Sequence, residues 1–424
     1  MVWVKRVATF GLALVAAGSA SAQQRQQVTG PVATYWMSAQ TATGMAAMGM
    51  GGPGAKPDMG AMMGMMMGGG RGRGPQHTLN LQLGSSRKAP GEPTAEHLPP
   101  PGLRAGQTLP LLTPRAQPTQ PDEEPRMPRE FEKPKGKMLI FWGCGEHARP
   151  GQPVVIDFAQ MQPGKMPPGL EALSRGLGVT PMRGPSPSRN ATYGEWPNER
   201  TRTNVPSEGS LVGAHQVRGT YTPNINFSLA ANQDFLGPLQ LATGDGPGGS
   251  ARLDWRSVPG AQAYLATAMG GGRNDTVVLW TSSEVQASAF AIPDYISPGD
   301  LARLVTQKAL MGPQVTSCAI PAEVVKAAPE AFVQMAAYGG EANFVYPPRP
   351  SDPKVAWNQE WAVKVRYRST TSAILGMDMG DMGAGQSGGY GDDDGEGQGG
   401  RRPPPQQRGS TTGKILRGLG GIGF

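Results

Sequence analysis

The sequence predicts a mainly β fold: two β-sandwich domains, one short inserted helix, and disordered Gly/Met-rich and Gly-rich segments. Three observations carry this. Short runs of β-branched and aromatic residues alternate apolar with polar at period two, as half-buried strands do. Gly and Pro, 62 and 42 of the 424 residues, punctuate those runs at the spacing of turns. Helical periodicity is confined to one stretch near residue 300.

The chain starts with a basic pair, Lys5 and Arg6, an apolar run from Val7 to Ala17, and Ala20-Ser21-Ala22 before Gln23. A short basic region, an apolar core too brief to span a bilayer and an Ala-x-Ala end form the layout of a secretory signal peptide over 1–22. The expected location is periplasmic or secreted, within the cell envelope. About 400 residues then remain, room for two ordinary domains. The formal charge of +7 shows no dominant cluster and suits contact with anionic envelope polymers or lipid headgroups. Cys144 and Cys318 are the only cysteines, and in an oxidising compartment one disulfide between them is expected.

Residues 23–43 hold the first strand of domain 1, read over Val32–Ser38, where Val, Tyr and Trp favour extended backbone. Residues 44–74 contain no aromatic or β-branched side chain and read as a disordered loop of the hairpin that His77–Leu83 completes. A Pro-rich crossover fills the rest of 75–136. The body of domain 1 spans 137–250, with strands at Lys137–Trp142, Val154–Phe158, Leu211–Val217 and Asn224–Leu229, and a possible helical turn at Leu170–Leu173. The first two are spaced to pair as a hairpin. The alternating run from Trp357 to Ser369 is expected to return and close this domain with the N-terminal strand. From 376 to 424 the composition again becomes Gly-rich.

A second block, 251–350, begins with Leu253-Asp254-Trp255, the turn Val258-Pro259-Gly260-Ala261, Ala263-Tyr264-Leu265-Ala266 and Thr276–Trp280. It ends with Ala331–Gly340 and Asn343–Pro347. This order resembles a fibronectin type III domain, in which the two last runs would form the final hairpin, and implies a sandwich of about a hundred residues. An amphipathic helix over Asp300–Met311 interrupts it, opened by Ser297-Pro298-Gly299 and stopped at Gly312-Pro313. The string Phe141-Trp142-Gly143-Cys144-Gly145-Glu146-His147, with this layout, resembles a group of exported proteins of Gram-negative bacteria. That resemblance implies compartment and domain layout, and no activity.

The chemistry-bearing residues are sparse. Met45, Met48, Met50, Met59, Met62, Met63, Met65, Met66 and Met67 crowd nine thioethers into one loop, and Met377, Met379 and Met382 repeat the theme near the C-terminus. Thioethers select Cu(I) or Ag(I), so a Met-rich copper-binding protein is one reading. Cys144, Glu146 and His147 fall short of a zinc set. No nucleophile elbow, metalloprotease helix or phosphate-cradling loop is present, so no catalytic residue is assigned and a cryptic hydrolase ranks third. Arg71 and Arg73 between glycines would suit RNA, a partner that export removes. At the C-terminus, Lys414, Ile415, Leu416, Arg417, Leu419, Ile422 and Phe424 make a short basic apolar segment suited to a membrane surface. The leading expectation is a non-enzymatic binding or structural role through sandwich loops and edges, with an envelope protein or polymer as partner.

Overall fold

Period-two alternation of apolar residues governs nearly every ordered stretch, and it assembles one large sheet with two smaller ones laid against it. A computed structural model describes residues 26–48, 74–114, 136–160, 177–201, 204–286 and 292–377. The strands are β1 (Val28–Thr29), β2 (Ala33–Gly44), β3 (Gln76–Ser85), β4 (Ala95–Leu98), β5 (Leu109–Pro110) and β6 (Lys137–Trp142). Then come β7 (Val154–Asp157), β8 (Thr192–Trp196), β9 (Gly213–Gly219), β10 (Ile225–Leu229), β11 (Leu241–Asp245) and β12 (Ala251–Trp255). The last six are β13 (Ala261–Gly271), β14 (Thr276–Thr281), β15 (Ser317–Ile320), β16 (Phe332–Tyr346), β17 (Trp357–Asn358) and β18 (Trp361–Ile374). Among the described residues the α-helices are α1 (Pro298–Thr306) and α2 (Ala322–Ala327).

The nine-stranded sheet runs β7-β6-β14-β13-β16-β18-β2-β3-β8. It is mixed: β14 with β6 and β18 with β2 are parallel, and the other pairs antiparallel. A four-stranded sheet, β10-β9-β4-β5, and a three-stranded one, β11-β12-β15, complete the layers, with the short pair β1-β17 at the edge. The expected hairpins β2–β3 and β6–β7 both pair, and β18 joins the N-terminal strand β2 in register over its whole length. The strands expected to build a separate unit over 251–350 lie inside the large sheet, where β13, β14 and β16 sit between β6 and β18.

One face of the large sheet supplies the main core. Tyr35 and Met37 of β2, Leu79, Leu81 and Leu83 of β3, Trp280 of β14 and Val363 and Val365 of β18 are buried against both small sheets. Val217, Ile225 and Leu229 come from the four-stranded sheet, and Leu253 and Ile320 from the three-stranded one. On the opposite face, Ala263, Leu265 and Tyr338 pack with Ile296, Leu301, Leu304 and Leu310 around α1. The Cys144–Cys318 disulfide is formed, Cα atoms 5.3 Å apart, and ties the loop after β6 to the three-stranded sheet.

Two expectations are corrected. The runs Ala331–Gly340 and Asn343–Pro347 are not two strands of a hairpin but one fifteen-residue strand, β16. Gly339-Gly340 makes a one-residue bulge, shifting the pairing with β18 between Tyr338 and Glu341. The helix expected over Asp300–Met311 stops at Thr306. Ser297 caps its start by accepting from the Asp300 amide. Lys308 takes φ +57°, and the Ala309 and Leu310 amides fold back onto the Leu304 carbonyl, so Leu310 reaches the core from a turn. The turn expected at Leu170–Leu173 lies outside the described residues.

Candidate functional site

Alternation in β18 sends Trp361, Val363, Val365 and Tyr367 into the core and Lys364, Arg366 and Arg368 to the other face. Three cations at successive same-face positions stand about 7 Å apart and repel unless each is answered. Each is answered differently. Lys364 pairs with Glu341 of β16. Arg368 meets Asp294 at 2.5 Å and donates from Nε to Gln40 Oε1 at 2.6 Å. Arg366 has no ion-paired carboxylate among the described residues: its guanidinium lies between Trp36, 4.5 Å away, and Tyr295, 4.3 Å away, and donates to Ser38 Oγ at 2.6 Å. Arg366 Nε and Glu341 Oε1 are buried with no hydrogen-bond partner among the described residues. Burial lowers the Arg366 pKa, and burial raises that of Tyr295 against the pull of the two arginines.

The bulge explains how Glu341 arrives there. Val333, Met335 and Ala337 are core-facing, so unbroken alternation would turn Glu341 into the core as well. One extra residue reverses the parity, placing Ala342 in the core and Glu341 opposite Arg366. Gly339 permits the close approach, since a Cβ there would lie 2.9 Å from Tyr367 Cβ and 3.0 Å from its backbone oxygen. A second glycine shapes the roof: a Cβ on Gly184 would lie 2.6 Å from Trp36 Cε3. Arg303 anchors the same segment by donating to the Leu177 carbonyl at 3.0 Å.

The histidines are spent elsewhere. His97 and His215 are buried between the large and the four-stranded sheets, with Tyr35 Oη 2.6 Å from His97 Nδ1. His77 stacks on Phe235 with ring centroids 4.0 Å apart, and burial lowers its pKa. His147 pairs with Glu323 of α2 at 3.2 Å on the surface, and Cys144 is bridged to Cys318.

Of the residues singled out from sequence, Cys144 and Cys318 meet as expected. Met45 is buried, in a 3₁₀ turn with Met48, and Met377 is exposed. Met50, Met59, Met62, Met63, Met65, Met66, Met67, Met379, Met382 and the segment 414–424 lie outside the described residues. Among the described residues no three His, Cys, Asp or Glu side chains gather as a metal site, and no helix is long and apolar enough to cross a membrane. The cation row was visible in the alternation of 361–368, but its partners Trp36, Tyr295 and Glu341 come from three other segments, and only the Gly339-Gly340 pair hinted at the bulge. Comparisons with protein-family models, curated proteins and solved structures find no match.

Proposed function

We propose that this is an exported, non-enzymatic binding protein of the cell envelope, and that the Lys364, Arg366 and Arg368 row receives an anionic group of an envelope polymer. The observation that carries this reading is Arg366, a cation held between two aromatic rings with no ion-paired carboxylate among the described residues. Three cations face two carboxylates, Glu341 and Asp294, so the row keeps one excess positive charge that is offset only by ring faces and a hydroxyl. Lys364 and Arg368 keep 24% and 16% of their side-chain surface open to solvent, enough for an approaching anion to reach the row. The two small sheets on one face of the large sheet read as two β-sandwiches sharing that sheet, an architecture that leaves loops and edges for partners. The segment 414–424 is a further contact point for a membrane surface in this reading.

Co-sedimentation of the mature protein with purified peptidoglycan and with lipopolysaccharide, at low and high salt, tests it. Binding should weaken with salt and fall at least tenfold in Arg366→Gln, while the surface control Arg252→Gln binds as wild type. Equal binding by Arg366→Gln and wild type overturns the assignment.

A second reading, Cu(I) or Ag(I) binding, is favoured by one register. Strands β2 and β18 lie side by side in parallel with Gly44 beside Ser372, so the chain proceeds to Met45 and to Met377 from the same end of the sheet. A Cu(I) titration against a variant with the six methionines between 59 and 67 changed to Ser decides this reading. Equal uptake ends it.

A further inference from the structure

The buried contact between Tyr35, His97 and His215 is directional. The Leu211 carbonyl only accepts, so His215 Nε2, 2.7 Å away, carries a proton, and the neutral ring presents Nδ1 as acceptor. His97 Nε2 lies 3.1 Å from that Nδ1 and must donate to it. His97 Nδ1 is then the acceptor for the Tyr35 hydroxyl at 2.6 Å. One arrangement of protons satisfies every link, with both imidazoles neutral and protonated on Nε2. The chain also crosses a layer boundary, because Tyr35 belongs to β2 of the large sheet and the two histidines to β4 and β9 of the small one.

We propose that Tyr35, His97 and His215 form an acid-released latch: while the imidazoles are neutral it holds the four-stranded sheet on the nine-stranded sheet, and proton uptake loosens that sheet.

A proton on His215 turns its Nδ1 into a donor facing the donor Nε2 of His97. The conflict is relieved only if His97 reverses, accepting at Nε2 and donating from Nδ1, which leaves the Tyr35 hydroxyl hydrogen without an acceptor. A second proton has no acceptor at all along the chain. Among the described residues the neighbours offer no compensating charge. Phe227 of β10 stacks on His215 with centroids 4.9 Å apart and is itself packed on Phe344 of β16. Asp234, from the loop after β10, is engaged by the Leu211 amide and the Ser210 hydroxyl. Glu96 and Arg218 pair with each other on the exposed side of β4 and β9. Tyr221, the other buried phenol of this layer, stays neutral because burial raises its pKa.

Burial depresses both imidazoles below the ordinary value of 6.5, and at His97 repulsion from His215 adds to it. A base depressed in the closed state takes up its proton on opening. The latch therefore has full strength above that value and loses it as pH falls from there toward the closed-state pKa values.

Native-state hydrogen exchange of the full chain between pH 7.5 and 5, corrected for the intrinsic exchange rate, tests the latch. The opening constant of β4, β9 and β10 amides should rise about tenfold per pH unit for each proton taken up on opening, while β11, β12 and β15 stay level. The double variant His97→Gln, His215→Gln should flatten the response. Should that variant not fold, nitrogen-15 NMR of the wild-type imidazoles decides: both rings are expected as Nε2–H tautomers at pH 7, titrating below the ordinary range. Ordinary titration of either ring, or a pH-independent opening of β4, β9 and β10, overturns the proposal.

Discussion

Glu341 stands directly opposite Arg366 in the β16–β18 ladder, yet its carboxylate reaches along the sheet to Lys364 and leaves Arg366 to the rings of Trp36 and Tyr295. This crossed arrangement exists because the bulge at Gly339-Gly340 turns Glu341 away from the core. Deleting Gly340 removes the extra residue and sets Gly339 opposite Tyr367, so simple alternation then keeps Ala342 inward and Glu341 opposite Arg366, and this deletion should fold. Gly339→Ala is the sharper probe: its methyl meets Tyr367 Cβ at 2.9 Å, and overpacking of this kind costs about 1–3 kcal/mol. Urea denaturation reads the loss, and a wild-type midpoint would mean that β16 shifts freely at the bulge.

Lys364 and Glu341 form a largely buried pair, with side chains 24% and 4% exposed. Removing one partner of such a pair costs about 3–5 kcal/mol because the other is left charged and alone. Lys364→Met should therefore be severely destabilising. The double change Lys364→Met, Glu341→Leu should recover most of the loss, since a well-packed apolar pair often substitutes without cost. A double-mutant cycle by chemical denaturation measures the coupling, and additive effects would contradict the pairing.

Arg366→Lys keeps the charge but gives up the flat guanidinium that two rings and Ser38 hold. Each cation–π contact is worth about 0.5–2 kcal/mol, so a destabilisation of about 1–2 kcal/mol is expected, less than that of Lys364→Met. The indole of Trp36 should report it through a shift in tryptophan emission. An unchanged spectrum and midpoint would show that stacking contributes nothing at this position.

The mainly β class was legible because burial at period two leaves its mark on every strand, and 361–369 displays it without interruption. The disulfide was legible because two cysteines admit one bridge. The layout of the sheets was not. The return of 357–369 to the N-terminal strand was expected, but the parallel sense of that pairing, and the parallel pairing of β14 with β6 across more than a hundred residues, are encoded by no local pattern. The expected hairpin of Ala331–Gly340 with Asn343–Pro347 is one strand because in sequence a glycine that ends a strand and a bulge glycine look alike; only the close approach to Tyr367 separates them. Helix α2 is six residues long, too short for a periodic signal. The candidate site escaped for the same reason as the topology: Trp36, Tyr295, Glu341 and Arg366 are neighbours only after the strands are ordered.

Tyr264 is fully buried, and its hydroxyl accepts a hydrogen bond from the Val258 amide at 2.8 Å, closing the Pro259-Gly260 turn between β12 and β13. Tyr264→Phe preserves the ring and its contact with Trp255, 5.6 Å between centroids, but leaves that amide buried without an acceptor. An orphaned buried donor costs about 1–3 kcal/mol. Thermal unfolding should register the deficit, and hydrogen exchange should place it at Val258. Protection of that amide equal to wild type would show that another acceptor takes over.

Cys144 and Cys318 close a loop of 174 residues that contains β7 to β14 and α1, so the bridge restricts about half of the described residues. The chain-entropy model assigns such a loop about 5 kcal/mol as an upper figure, and removal of a native bridge typically costs 2–5 kcal/mol. The loss should be local before it is global. The three-stranded sheet is held by one strand pairing on each side of β12, by the core contacts of Leu253 and Ile320, and by this bond, whereas the four-stranded sheet has no covalent tie. Cys144→Ser, Cys318→Ser should thus expose β11, β12 and β15 to exchange first, lower the urea midpoint and reduce the unfolding free energy by an amount in that range. A variant with wild-type midpoint and unchanged protection in those three strands would show that packing alone fixes the small sheet, and that the bridge follows the fold instead of supporting it.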